Sequence, residues 1–363
     1  MQTKILRNRI LHTLLGALLL GTSQWGMATP CGTVLSHYSS GIPPSYGGTW
    51  PERYPECFGA SSATATVSIN QSAVVQTSAV SSALATRFLA SPQQLGAAPM
   101  RGVAASVPGK RWNVWGSLTD NTTKQSFTNA VGNAIRNDTD GLTTTLGGDH
   151  ALSSTLVAGV SVAFDRAKGD SYRNGTKRNE LVNKGYMVAP YVGLMLSKSL
   201  ALDAALGFGE GELSQTGNVS AEADRWFVGA NLNYTQWFGN TQLSGRLGWL
   251  HAEEDYDDAS TNGVRNLGTA ARSRVDQFRL GGQAAWWMNG VMPYVGLAYV
   301  SENRATTLAG ARDPIGRGGW QWSLGANFVS VASGVTGGIA YQAESGRSNQ
   351  KNRQLLANVG LRF

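Results

Sequence analysis

Hydrophobicity with a period of two runs through the last two thirds of this chain, and few folds accommodate it. In Trp320-Gln321-Trp322-Ser323-Leu324-Gly325-Ala326-Asn327-Phe328 every second residue is apolar and the others are polar or glycine. Trp226-Phe227-Val228-Gly229-Ala230-Asn231-Leu232-Asn233-Tyr234 alternates in the same way. So does the C-terminus, where Leu355, Ala357, Val359, Leu361 and Phe363 share one face and Gln354, Asn358, Gly360 and Arg362 fall mostly on the other. A helix would scatter such residues around its axis, whereas a strand sorts them into one apolar and one polar face. Twelve such runs are predicted, at 111–119, 139–149, 154–165, 183–196, 199–213, 223–237, 240–252, 273–287, 290–302, 316–328, 334–345 and 352–363.

Three features favour a closed barrel in a membrane over a soluble sandwich. The runs are about 10–14 residues long, the length of a tilted membrane-crossing strand and about twice that of an ordinary one. Aromatic residues (Trp115, Trp226, Trp237, Phe238, Trp249, Trp286, Trp287, Trp320, Trp322) cluster near the run ends, where an indole belt would sit at the headgroups. The connections also alternate in length. Short turns are predicted near 148–153, 197–199, 238–240, 288–290 and 329–333, and long loops at 120–138, 166–182, 214–222, 253–272, 303–315 and 346–351. Short turns at one end and long loops at the other are the asymmetry of outer-membrane barrels. An even strand count then places the start of the first strand and Phe363 on the short-turn, periplasmic side.

The N-terminal third has a different character. Residues 1–28 read as a secretory signal peptide: Lys4, Arg7 and Arg9 form the basic region, and an apolar run follows at 14–20. That run is too short to span a bilayer, so export through the Sec translocon is expected. In an oxidising compartment Cys31 and Cys57, the only two cysteines, are predicted to form a disulfide. The bridge would close a Pro-, Gly- and Tyr-rich segment, 29–60, that has no core of its own. An Ala/Ser-rich stretch at 61–109 contains no charge from Ala60 to Thr86 and no Gly or Pro from Ser61 to Ser91. It is too polar to face lipid but slender enough for a helix inside a water-lined barrel, extending about 1.5 Å per residue. A flexible linker is the alternative reading.

With the barrel at 110–363, these features resemble the C-terminal translocator domain of type V autotransporters. The likeness is carried by the small-residue linker, Trp112-Asn113-Val114-Trp115-Gly116, Ser161-Val162-Ala163-Phe164-Asp165, the Arg274–Gly282 run and Ala357-Asn358-Val359-Gly360-Leu361-Arg362-Phe363. The resemblance implies an all-β fold, a twelve-stranded antiparallel transmembrane β-barrel of a Gram-negative outer membrane, with the α-helical linker in its lumen. It implies that an N-terminal passenger is exported, and that Leu361 and Phe363 form the signal read by the barrel-assembly machinery. Only about thirty residues separate signal and linker, so 29–60 would be a very short passenger. Members that cleave themselves cut the linker within the lumen, often at Asn, and Asn70 is the only Asn between Phe58 and Lys110.

Composition closes off other classes. Setting Lys4, Arg7 and Arg9 aside leaves 27 basic against 23 acidic residues, a dispersed net +4 that excludes nucleic acid as a partner. Outer-membrane lipids and lipopolysaccharide are the expected surroundings, and a monomer is expected. No cofactor and no catalytic set is predicted: Gly169-Asp170-Ser171-Tyr172 lacks the context of a hydrolase nucleophile, and Ser345 and Ser348 have no His close upstream. The densest polar cluster, His251 to Asp258, carries Glu253, Glu254, Asp255, Asp257 and Asp258, a weak candidate for Ca²⁺ through oxygen ligands or simply a solvated loop. Arg246, Arg279 and Arg362 are predicted to face the lumen, where they would bond the linker or set an anion preference. The expected function is translocation or display of the short segment. A plugged twelve-stranded channel, a loop-based adhesin or a surface enzyme on the acidic rim stand as alternatives.

Overall fold

The computed structural model describes residues 31–45, 47–54, 57, 58, 63–88, 111–128, 132–306, 315–330 and 333–363. The predicted signal peptide, the linker beyond Phe88 and Pro55 lie outside the described residues. Twelve long strands form one closed antiparallel wall: β1 (Trp112–Thr128), β2 (Ala134–Ala151), β3 (Leu156–Arg173), β4 (Thr176–Met195), β5 (Leu200–Gln215), β6 (Val219–Phe238) and β7 (Thr241–Tyr256). After a two-residue hairpin, β8 (Ser260–Thr261) and β9 (Val264–Arg265), the wall continues with β10 (Ala271–Trp286), β11 (Val291–Thr306), β12 (Gly318–Ser330), β13 (Val335–Ser345) and β14 (Gln350–Arg362). Closure is made by β1 pairing with β14, Asn113 opposite Arg362, while Trp112 and Phe363 exchange backbone bonds of 3.1 Å. A closed wall leaves no backbone group unpaired at an edge, which is what a hydrocarbon surrounding demands.

The alternation sorts as expected, with the apolar face outward. Leu118, Leu146, Val160, Val192, Leu206, Leu247, Leu280, Leu297, Leu324 and Val359 are all exposed on the outer surface. Exposed aromatics bracket this band: Trp112, Tyr234, Phe238, Trp286, Phe328 and Phe363 near the short turns, and Phe164, Tyr186, Phe208, Trp249, Tyr299, Trp320 and Trp322 higher up. Trp226 and Phe238 lie on one strand face, 12 residues apart. That is about 40 Å along the strand and roughly 30 Å along the normal at a 40° tilt.

Two sequence expectations are corrected. Trp115 is not part of the outer belt: it alternates with exposed Trp112 and Val114, is 5% exposed, and donates its Nε1–H to Tyr191 Oη at 2.8 Å inside the barrel. Trp237 likewise shares parity with the inward Asn233, not with exposed Phe238. The stretches 120–138 and 166–182 are also not loops for most of their length. β1 to β4 carry on as paired strands well beyond the aromatic belt, and β3 meets β4 through Asn174-Gly175 alone. Both residues have positive φ, 49° and 81°, the conformation of a type I′ turn that Asn-Gly favours. Outside the membrane both strand faces can be polar, so the hydrophobic period fades while the strand persists.

Among the described residues three helices precede the wall. α1 (Cys31–Ser39) and the one-turn α2 (Trp50–Arg53) belong to the N-terminal segment, and α3 (Ala63–Phe88) runs through the lumen. The Cys31–Cys57 disulfide is formed, with Cα atoms 4.9 Å apart.

Candidate functional site: the helix-filled lumen

α3 has no apolar stripe broad enough for a conventional core, and the barrel meets it with polar side chains as well as small apolar ones. Ser72 Oγ donates to Asp165 Oδ1 at 2.9 Å, Gln76 Nε2 to Ser161 Oγ at 3.1 Å, and Ser81 Oγ to Asp203 Oδ2 at 2.8 Å. At its C-terminal end Arg87 pairs with Asp149 and donates to the Arg111 carbonyl at 2.6 Å. Ser72 and Arg87 are 15 residues apart, so these contacts span about 22 Å of the lumen. Between them Ala73, Val80 and Leu84 are buried against Met187, Ala189, Phe227, Leu250 and Ala252.

Each carboxylate that grips the helix is held by the wall. Asp149 accepts from Asn113 Nδ2 at 2.9 Å and from Tyr191 Oη at 3.0 Å. Asp203 accepts from Asn231 at 2.8 Å and from Asn233 at 2.7 Å. Asp165 receives both contacts of the Arg225 Nη1, at 3.0 and 3.1 Å. Arg225 also donates to Glu254 Oε1 and Asn183 Oδ1, each at 2.5 Å, and Asn183 Nδ2 donates to Tyr256 Oη at 2.9 Å. Room for that guanidinium comes from Gly185 and Gly211, where a Cβ would fall 2.2 and 2.4 Å from its atoms. Buried charges of this kind persist only when paired or well hydrogen-bonded: Asp149, Asp165, Arg225 and Glu254 have an opposite charge, and Asp203 has three neutral donors.

Above this node the N-terminal segment is seated within the mouth at the long-loop end. Val34, Leu35, Cys57 and Phe58 are buried against Leu181, Leu213, Val219, Ala221, Ala223, Tyr256, Ala259 and Ala271. Gln215 Nε2 donates to the Cys57 carbonyl at 3.3 Å, and the Arg173 guanidinium lies 4.7 Å from the centre of the Tyr54 ring. The segment and α3 thus stack along one side of the lumen.

The sequence-predicted site residues separate. Arg246, Arg279 and Arg362 alternate with exposed Leu247, Leu280 and Leu361, so all three point inward. Arg246 Nε donates to Asn233 Oδ1 at 2.8 Å, a wall contact and not the helix contact anticipated. Leu361 and Phe363 are exposed on the outer face, beside the closing seam. The acidic cluster does not gather around one point. β7 extends to Tyr256, and its pleat sends Glu254 inward to Arg225 while Glu253 and Asp255 point outward to Arg272. Asp258 is occupied with the Thr269 and Ala270 amides, both at 2.9 Å, and with Arg265. No group of three or more His, Cys, Asp or Glu that could hold a metal occurs among the described residues. The exposed Arg272 guanidinium is held above its ordinary range by its hydrogen bond to Asp255. His251 Nδ1 lies 2.6 Å from Asp276 and its ring rests 4.9 Å from Trp226, a surface contact on the outer wall.

Sequence reasoning passed over Asp149, Asp165, Asp203 and Arg225. Their signal was available at alternate positions, where each is a charge among small or apolar residues, as in Ala221, Ala223, Arg225 and Phe227. In a membrane-crossing strand such a charge has to face the lumen and find a partner there.

The family model described as the autotransporter beta-domain matches residues 114–363. Among solved structures, the translocator domain of the autotransporter NalP from Neisseria meningitidis is similar, with TM-score 0.57 and 15% identity over 82% of this chain and 100% of that one. The transport unit of the autotransporter AIDA-I from Escherichia coli gives TM-score 0.54 and 13% identity, over 78% of this chain and 98% of that one. The beta domain of the Bordetella autotransporter BrkA gives 0.50 and 14%, over 69% and 99%. At these identities the likeness is one of fold. No curated protein sequence matches the chain.

Proposed function

Since the chain belongs to the autotransporter β-domain family, we propose that it is an outer-membrane translocator barrel whose exported cargo is its own disulfide-closed segment, residues 29–60. One observation carries this reading. α3 spans the lumen with its N-terminal end towards the mouth where that segment sits, and with Arg87 beside Asp149 near the end that holds Trp112 and Phe363. A chain that enters from the strand-terminus side and leaves through the far mouth has this polarity. The polar lumen contacts of Ser72, Gln76 and Ser81 can be exchanged for water by an extended chain in transit, and the apolar ones come from the small or aliphatic Ala73, Val80 and Leu84.

In this reading the barrel performs no bond-making chemistry. Its partners are those of assembly and export: the Sec translocon, the barrel-assembly machinery acting on Leu361 and Phe363, and the lipids and lipopolysaccharide around the belt. The test is an epitope inserted between Ser39 and Ser40, both exposed, followed by antibody labelling and protease treatment of intact cells. Labelling without permeabilisation is the expected result. Labelling only after the outer membrane is opened would overturn the display reading.

A further inference from the structure

The lumen is divided by charge. The carboxylates that hold α3, Asp149, Asp165 and Asp203, lie on β2, β3 and β5. On that half of the wall the inward side chains are sealed against the helix: Ser161, Met187, Tyr191, Asp203 and Phe227 are all at most 3% exposed. The opposite half differs. Inward-facing Arg279, Tyr294, Ser323, Asn327 and Gln342 are partly exposed, and Asn358 is exposed. These residues point into the barrel, so the solvent that reaches them is inside it. α3 therefore lies off-axis and leaves a polar, water-accessible gap along β11 to β14, bordered by β10.

Two arginines, on β7 and β10, stand at the border of that gap. In the β7–β10 register Arg246 stands opposite Gly281 and Arg279 opposite Gly248, which makes the two arginines diagonal neighbours with Cβ atoms about 7–8 Å apart. Glycine opposite each one keeps the wall thin there. Arg246 is tied only to the neutral Asn233, and among the described residues no carboxylate pairs with Arg279. Asp203, the lumen carboxylate near Arg246, is taken up by Ser81, Asn231 and Asn233, and Glu302, diagonal to Arg279 across the β10–β11 pair, is taken up by Gln277, Arg304 and Arg347.

We propose that the gap beside α3 is a water path that prefers small anions, with Arg246 and Arg279 as its selecting pair. Rings or pairs of fixed cations at a constriction favour anions by raising their local concentration. A unit charge about 7 Å from a passing ion in water-like surroundings biases its passage by a factor of roughly three. The path does not depend on whether residues 29–60 reach the cell surface, so its failure would leave the display reading standing.

The test is reversal potential in planar bilayers containing the full-length protein, under a tenfold gradient of potassium chloride. Wild type is expected to conduct with the helix in place and to reverse on the chloride side of zero. The R246Q/R279Q variant, its folding checked by heat-modifiable gel migration, is expected to lose most of that preference. R279Q alone serves if the double variant does not assemble, and R272Q on the outer rim is expected to reverse as wild type does. Absence of conductance, a cation preference in wild type, or an unchanged reversal potential in the Arg246 and Arg279 variants would overturn the proposal. An equal shift in R272Q would do so too, by assigning the effect to surface charge.

Discussion

Arg225 offers the sharpest test of how the interior is held together. Its side chain and that of Glu254 are 0% exposed, and that of Asp165 is 5% exposed. Through these two carboxylates and Asn183 it joins β3, β4, β6 and β7 at one point. Arg225→Ala leaves two buried carboxylates without a cation, and leaves the space beside Gly185 and Gly211 unfilled. Removing one partner of such a pair costs about 3–5 kcal/mol, a factor of roughly a thousand in the folded-to-unfolded ratio. Replacing the triad together, R225M/D165L/E254L, removes every charge while keeping volume, and it is expected to lie within about 1–2 kcal/mol of wild type. Part of that residual loss is the Ser72 hydroxyl, which forfeits its acceptor for about 1 kcal/mol. Guanidinium unfolding in detergent micelles, followed by tryptophan fluorescence, measures both variants. If Arg225→Ala unfolds within about 1 kcal/mol of wild type, the cluster is energetically idle. If the triad replacement is as unstable as Arg225→Ala, the loss is one of packing and the electrostatic account is wrong.

Three further outcomes follow from the same structure. C31S/C57S removes the bridge closing a 26-residue separation and is expected to cost the N-terminal segment about 3 kcal/mol; limited proteolysis should then cut within 31–58 while the barrel still migrates as a folded species. At the β3–β4 tip, the Lys168 and Lys177 ammonium groups hold the Glu180 carboxyl below its ordinary value of 4.5, and Asp170 and Glu180 hold the Lys177 ammonium above its own. The Glu180 contribution is therefore present above pH 4.5 and lost as pH falls through the lowered value; amide protection at 168–180, the exchange rate relative to the intrinsic rate at each pH, should fall in acid and in high salt, and equal protection at neutral and acid pH would refute it. Gly207 lies under the Phe227 ring, 2.0 Å from where a Cβ would stand, so Gly207→Val is expected to destabilise the barrel by about 1–3 kcal/mol through overpacking, measured by the same guanidinium titration.

Where the bilayer imposes a rule, the fold could be read from sequence. Trp320 to Phe328 must alternate because one face meets lipid and the other water, and its strand was placed almost to the residue. Above the belt that rule lapses. Thr119 to Gln125 are polar on both faces yet continue β1, since the backbone ladder with β2 and β14 holds them whatever the side chains are. The Asn-Gly turns at 174–175 and 262–263 carried the missing information, and they mark where strands reverse beyond the membrane. In the lumen, parity alone places Arg246 and Arg279, but it does not show which strand half receives the helix. That depends on Ser72, Ser81 and Arg87 finding Asp165, Asp203 and Asp149, contacts 93, 122 and 62 residues apart in the chain. The acidic run at 253–258 misled because a loop was expected there. On a strand, neighbouring carboxylates face opposite ways and cannot share one ion.

The two halves of the N-terminal region are held by different forces, and that difference orders what can move. α3 is fixed by hydrogen bonds from Ser72, Gln76 and Ser81, by the Arg87–Asp149 pair and by burial of Ala73, Val80 and Leu84. Each neutral bond is worth about 1 kcal/mol net, because water offers nearly the same partner. The disulfide-closed segment is fixed by burial: Val34, Leu35 and Phe58 are at most 4% exposed, on a seat of Leu181, Leu213 and Val219. Each such side chain contributes about 1.5–3 kcal/mol, and water offers no replacement. α3 can therefore exchange part of its hold for water as it shifts, whereas the knot leaves its seat only by exposing its apolar face. The segment is seated on one side of the mouth, and the lumen behind it holds the helix through contacts of both kinds.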